Sequence, residues 1–199
     1  MMQSVPTPKP ILFIAREPLL AGYENEYRKI EQETARLSAK LGCPHPYLAM
    51  ESLTGPKEIW WFNAFDSPRH QKQIAEAYAK NAPFSAALKK NADRKAVVTG
   101  KVAECVTKYR PNLSSGVPWI LGRGRFLVIA VSKDQPSSPG TVFEAADGTF
   151  FLFSPAQTRK QADHLHASVP DSILATVRPS FSFPAKEWVV PIHISGELK

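Results

Sequence analysis

Nothing in this sequence of 199 residues approaches the ~20 consecutive apolar residues that a membrane-spanning helix needs. The N-terminal arm holds Pro6, Pro8 and Pro10 and leads only into the short apolar run Ile11–Ala15. Neither a signal h-region nor a spanning segment is read there, so a cytoplasmic protein is expected. Cysteine is scarce: Cys43 and Cys105 have no CxxC partner and no metal-ligand spacing, which excludes a disulfide framework and a cysteine-rich zinc site. They are read as reduced, partly buried thiols. GxSxG, Walker A and HExxH are all missing, which argues against the hydrolase, P-loop and zinc-protease classes. Gly122-Arg123-Gly124-Arg125 precedes a strand and lacks the strand-before, helix-after setting of a dinucleotide loop. Concentrated charge is missing too. The formal charge is +7, yet the basic residues are scattered, with only short pairs such as Lys89-Lys90. A solvated surface is expected, with no nucleic-acid or membrane partner.

What is present is an ordinary globular composition, 43% hydrophobic and 22% charged, with prolines acting as punctuation at segment ends. The most informative stretch is His45–Phe65, HPYLAMESLTGPKEIWWFNAF. It reads as a hairpin of Tyr47–Leu53 and Glu58–Phe65 turned at Thr54-Gly55-Pro56-Lys57. Both strands carry large side chains on both faces, so both faces need cover. Upstream, Ile11–Ala15 reads as a buried strand. A helix over Gly22–Leu41 presents Tyr23, Tyr27, Ile30, Thr34, Leu37 and Leu41 on one face. Glu24 and Arg28 form a helical pair on its exposed side. Gly42 ends it, and Pro44 and Pro46 prevent its resumption. Downstream, Ser67 caps a helix with Pro68 at its first position, and Asn81 closes it after Lys80. Phe84–Asn91 reads as a short second helix after Pro83. Lys101–Tyr109 alternates as a half-buried strand. The order β-α-β-β-α-(α)-β is the ferredoxin-like plan.

Pro111–Gly124 has the composition of a linker. A second unit starts with the strand Arg125–Ser132, but Lys133–Gly140 replaces the long helix. A hairpin of Thr141–Ala145 and Thr149–Phe153 turns at Asp147-Gly148. Ser154-Pro155 repeats the Ser67-Pro68 helix start and predicts a helix over Ala156–Ser168. A short segment follows at Ile173 and Leu174, then a final strand or pair of strands over Ser180–Phe183 and Glu187–Ile194. The shared order suggests a degenerate internal duplication. The expected fold is α+β: tandem ferredoxin-like units with antiparallel sheets, residues 10–112 and 118–195, the second lacking its first helix.

The segment REPLLAGYENEYRKIEQETARL, followed by a hairpin ending in WWFNAFDSP, resembles the dimeric α/β-barrel superfamily. That superfamily includes antibiotic-biosynthesis-type monooxygenases, NIPSNAP-like proteins and stress-responsive barrel proteins. The resemblance covers residues ~10–110 and, more weakly, ~120–194, about the length of one such unit each. It implies two ferredoxin-like sheets facing one another, from two subunits or two halves of one chain, with a ligand cavity between a sheet and its own helices. It assigns no activity and no residue role.

The candidate ligand-binding residues are Tyr47, Glu51, Trp60, Trp61, Asn63, Trp119 and Arg123. On a strand, Trp60 and Phe62 face one way while Trp61 and Asn63 face the other, and a buried Asn63 amide needs a partner. Glu51 among aromatics would have a raised pKa suited to a general base, unless it pairs with Arg16, Arg123 or Arg125. Trp119 and Arg123 are placed at a cavity mouth. Cys43-Pro44-His45 supplies too few ligands for a metal, and His164 and His166 diverge on a helix. No catalytic residue, metal or cofactor is assigned. The leading expectation is a barrel that binds a small apolar or aromatic molecule, with its cavity in the first half beneath the long helix. A cofactor-independent monooxygenase or isomerase is the alternative, and a haem- or tetrapyrrole-binding barrel with His45, His164 or His166 as axial ligand is the second. The chain is expected as a monomer if its halves pair their sheets, and as a homodimer if they do not.

Overall fold

A computed structural model of the chain describes residues 7–185. The first half runs β1 (Ile11–Pro18), α1 (Glu24–Leu41), β2 (Leu48–Ser52), β3 (Glu58–Phe65), α2 (Pro68–Lys80), α3 (Ala82–Lys95) and β4 (Ala103–Tyr109). The second runs β5 (Phe126–Ser132), β6 (Thr141–Ala145), β7 (Phe150–Ala156), α4 (Arg159–Ser168) and β8 (Ile173–Val177). Strands of the first half bond in the order β4-β1-β3-β2 and those of the second in the order β8-β5-β7-β6. Each half is therefore an antiparallel ferredoxin-like sheet, and the second lacks the helix between its first two strands. The β2–β8 and β4–β6 pairings join the sheets into a closed eight-stranded barrel within one chain. Every strand has two neighbours, so the barrel has no free sheet edge.

Strand alternation sorts the side chains. In β3, Trp60 and Phe62 enter the barrel, where they meet Leu12 and Ile14 of β1, Ile129 of β5 and Phe153 of β7. Trp61 turns outward toward Tyr27 and Ile30 of α1, which also cover Ala49 and Ile59. Helix α4 covers the outside of the second sheet, with Ala162 against Val128, Leu152 and Leu174. The expected helix boundaries have clear local causes. Gly42 takes a left-handed φ of 71° and its N–H bonds Ser38 O. Ser67 caps α2 ahead of Pro68. Asn81 closes α2 and also caps α3, accepting from Phe84 N, while its amide donates to Leu41 O and Gly42 O at the end of α1.

Four expectations are corrected. Ser154-Pro155 starts no helix: β7 continues through Ala156, and α4 begins at Arg159 under a capping box of Thr158 and Gln161. Pro155 pairs with Leu127 of β5, beyond the last β6 pairing at Phe153, where a missing N–H breaks no ladder bond on the β6 side. The strand that closes the second sheet is Ile173–Val177, not Ser180–Phe183, which makes only a single bridge from Phe183 to Tyr47. Glu187–Ile194 lies outside the described residues. Helix α3 extends beyond Asn91 to Lys95. The 111–124 segment is more than a linker: after a 3-10 turn at Pro111–Leu113, it sends Trp119 and Leu121 into the barrel. Trp119 N donates to Thr141 Oγ1 at 2.6 Å, and the indole packs on Phe62 and Phe153. One end of the barrel is thereby plugged.

Candidate functional site

The opposite end is open. A cleft of about 510 Å³ enters the barrel between the C-terminal end of β1, the N-terminal end of β4 and the β6–β7 turn. Its walls are mostly apolar, with Ile14, Ala103, Val131, Ala145 and Phe151 among them. The size and lining suit a small organic molecule. Four polar side chains break the apolar lining: Arg16, Cys105, Thr149 and, at the lip, Asp147. Glu104 pairs with Ala15, out of phase with Ile14 and Arg16, and turns its carboxylate away from the barrel.

Arg16 follows Leu12 and Ile14 in strand phase, so its side chain points into the barrel. Its Nη2 donates to both carboxylate oxygens of Glu58, at 2.9 and 3.1 Å. Glu58 is 3% exposed at its side chain and Arg16 30%. The guanidinium carbon lies 4.4 Å over the Trp60 ring, a cation–π contact with a fully buried indole. Two bonds and a stacked ring fix the orientation of the fork. Among the described residues Nη1 has no hydrogen-bond partner, and it belongs to a side chain that lines the cleft. Burial, with Asp147 nearby, pushes the Cys105 thiol above its ordinary pKa, so it stands neutral at pH 7. Lys133 and Thr149 hold Asp147 at about 2, so that carboxylate stays ionised.

The cleft found here lies between the two sheets, rather than beneath α1 in the first half as expected. Trp60 and Trp119 are in the barrel core, Trp60 beneath Arg16 and Trp119 at the plugged end. Tyr47, Trp61 and Asn63 lie outside the barrel, on the side of α1. The Tyr47 hydroxyl meets Ser38 Oγ at 2.9 Å, and the Asn63 amide donates to Pro46 O at 3.1 Å. Glu51 is no raised-pKa base and pairs with none of Arg16, Arg123 or Arg125. It bonds Lys57 Nζ at 2.6 Å and also Arg178, and the two cations draw its pKa below the ordinary carboxylate value despite burial. Arg123 is exposed in the loop before β5. The expected Glu24–Arg28 contact is replaced by one from Arg28 to Asn25.

A second polar constellation gave no sign in the sequence. Between β1, α1 and α3, Lys95 Nζ bonds Glu17 at 2.7 Å and Glu31 at 2.8 Å. Tyr27 donates to the other Glu17 oxygen at 2.5 Å. Glu31 is 1% exposed. One ammonium serves two carboxylates, and Glu17 also holds the tyrosine; burial raises Glu31 to about 7 against the pull of Lys95.

The histidines lie elsewhere. His45 stacks on Phe65 at 4.7 Å and bonds Ala64 O, and burial lowers its pKa to about 4. His166 bonds Ser172 and His164 is exposed. None of these three lines the cleft. Among the described residues, no three His, Cys, Asp or Glu side chains form a metal-binding group, and no helix is long and apolar enough to cross a membrane.

No family model matches the chain, and no curated protein matches it. Among solved structures, a "putative monooxygenase" from Fusobacterium nucleatum is 9% identical, with a TM-score of 0.49 over 88% of this chain and 93% of its own. A "putative monooxygenase" from Lactobacillus acidophilus is 10% identical, with a TM-score of 0.45 over 85% and 94%. A "putative chlorite dismutase", TA0507, is 8% identical, with a TM-score of 0.47 over 86% and 96%. The fold described above rests on strand order and barrel closure.

Proposed function

We propose that this chain is a small-molecule-binding barrel whose ligand enters the open mouth and sets its apolar body against Ile14, Val131, Ala145 and Phe151. The observation that carries the reading is a cleft of ligand size, continuous with an aromatic core, in which one arginine is fixed by Glu58 and Trp60. A fixed donor on an apolar wall is the usual composition of a binding pocket, since little side-chain entropy remains to be lost when a ligand arrives. The reading is binding without turnover. A cofactor-independent oxygenase or isomerase needs a base within reach of its substrate. Here Glu58 is spent on Arg16, the Cys105 thiol is held neutral, and Asp147 is held by Lys133 and Thr149 far below the pKa of an effective base. A haem barrel does not fit this cleft either, because His45, His164 and His166 all lie away from it.

The test is ligand-observed NMR on the full chain with a set of small aromatic fragments, repeated on Ala145→Phe. The larger side chain fills the mouth from a strand whose neighbours stay paired. Fragments that bind the wild type are expected to lose their signal in the variant. Fragments that bind both chains alike would place the site elsewhere and end this reading.

A further inference from the structure

The geometry points to the class of molecule this mouth selects: an uncharged one that presents a carbonyl oxygen to Nη1 of Arg16. Arg16 is then the specificity-determining residue. The inference rests on the cleft being the binding site, and it adds what the cleft prefers.

Three observations carry it. First, Arg16 offers a hydrogen bond without offering net charge. Its Nη2 sits on both oxygens of a buried carboxylate, so the guanidinium and Glu58 together are neutral. Nη1 keeps its donors, with no protein partner among the described residues. Second, the rest of the mouth carries no uncompensated charge. Asp147 stands at the lip, and Lys133 offsets it at 2.9 Å. An anion entering the cleft meets no uncompensated cation to replace its water, while a neutral acceptor needs only the donor. Third, the walls past Arg16 are apolar, so a charged group carried deeper would lose its water with no partner to replace it. A ketone, quinone or lactone on an apolar frame satisfies all three conditions. A carboxylate fails the second, and a hydrocarbon forgoes the bond.

Cys105 supplies the reporter, since its thiol lines the same cleft. In Cys43→Ser it is the one cysteine left, and its alkylation by N-ethylmaleimide is followed by mass spectrometry. Three probes of nearly equal size are added up to their solubility limits: acetophenone, benzoate and ethylbenzene. Acetophenone is expected to slow alkylation at a concentration about tenfold lower than either of the others, the usual worth of one hydrogen bond to a charged donor. Arg16→Met should erase the advantage of acetophenone over ethylbenzene. If losing the partner of Glu58 unfolds that variant, Arg16→Met with Glu58→Leu makes the same test without a stranded carboxylate. Glu58→Gln keeps the shape and leaves Arg16 an uncompensated cation, so it should strengthen benzoate several-fold relative to acetophenone. Benzoate equal to or better than acetophenone in the wild type would overturn the inference, as would ethylbenzene equal to acetophenone or a benzoate effect indifferent to Glu58→Gln. In those cases the binding cleft itself still stands. Failure of all three probes to slow the thiol overturns the cleft reading and this inference with it.

Discussion

Glu31 and Glu58 are both buried carboxylates, and their surroundings give them different tasks. Glu58 has the near-exclusive attention of one guanidinium, held at two points. Glu31 shares a single ammonium with Glu17, which also takes the Tyr27 hydroxyl. Burial therefore wins at Glu31, and its pKa rises from 4.5 to about 7. A proton held more tightly in the folded chain than in the unfolded one favours folding at low pH. That contribution fades as pH rises from the unfolded value of 4.5 through the folded value near 7. The span corresponds to at most about 3 kcal/mol. Glu31→Gln keeps the shape and removes the titration, so its stability relative to wild type should improve by up to that amount between pH 4.5 and 8. Urea unfolding at several pH values measures it, and a difference that stays flat with pH would show that Glu31 is not titrating there.

At the scale of elements, the joints between helices carry as much information as the helices. Asn81 ties three of them together: it accepts from Phe84 N at the start of α3 and donates to Leu41 O and Gly42 O at the end of α1. Those carbonyls have no intrahelical partner, so losing their donor strands them. Asn81→Ala should cost about 2–3 kcal/mol, one cap and two bonds at roughly 1 kcal/mol each. Asn81→Ser keeps a capping oxygen and should recover about 1 kcal/mol of the loss. Midpoints in guanidinium chloride decide the matter, and equal midpoints for the two variants would refute the cap. The break between α2 and α3 was legible in the sequence, because Asn81 stands between two helical patterns with Pro83 just after it, but the reach of its amide to the end of α1 depends on packing and was not. The β3 span Glu58–Phe65 and the in-and-out sorting of Trp60 and Trp61 were legible for a similar reason, a long alternation with large residues on both faces. Ser154-Pro155 misled because the same dipeptide that caps α2 lies, in the second half, on a strand stretch with a free side. Arg16 was read only as a possible partner of Glu51, because the apolar run stops at Ala15, although Arg16 keeps the phase of Leu12 and Ile14 and pairs with Glu58. Glu31 and Lys95 carry no local signal at all. Each sits on a helix as an ordinary charged residue, and only the packing of α3 on α1 brings them together.

At the scale of the molecule, the two halves hold each other in two ways. Backbone pairing joins them at β2–β8 and β4–β6, and Trp119 joins them through side chains, touching Phe62 of the first sheet and Phe153 of the second. The strand closure predicts that neither half unfolds alone, because loss of either sheet would leave two unpaired edges and an exposed aromatic face on the other. Trp119→Ala removes the side-chain link and opens a cavity at the plugged end, which should lower stability by about 3–5 kcal/mol. The backbone link remains, so thermal unfolding of the variant should still be a single transition, matching in near-UV and far-UV circular dichroism. Two separated transitions, or a near-UV loss that precedes the far-UV one, would mean that the indole is what couples the halves and that strand pairing between them is weak. A single shifted transition would place the coupling in the closed ladder. In that case the open mouth is shaped by both sheets at once, and its width is set by the same closure that holds the halves together.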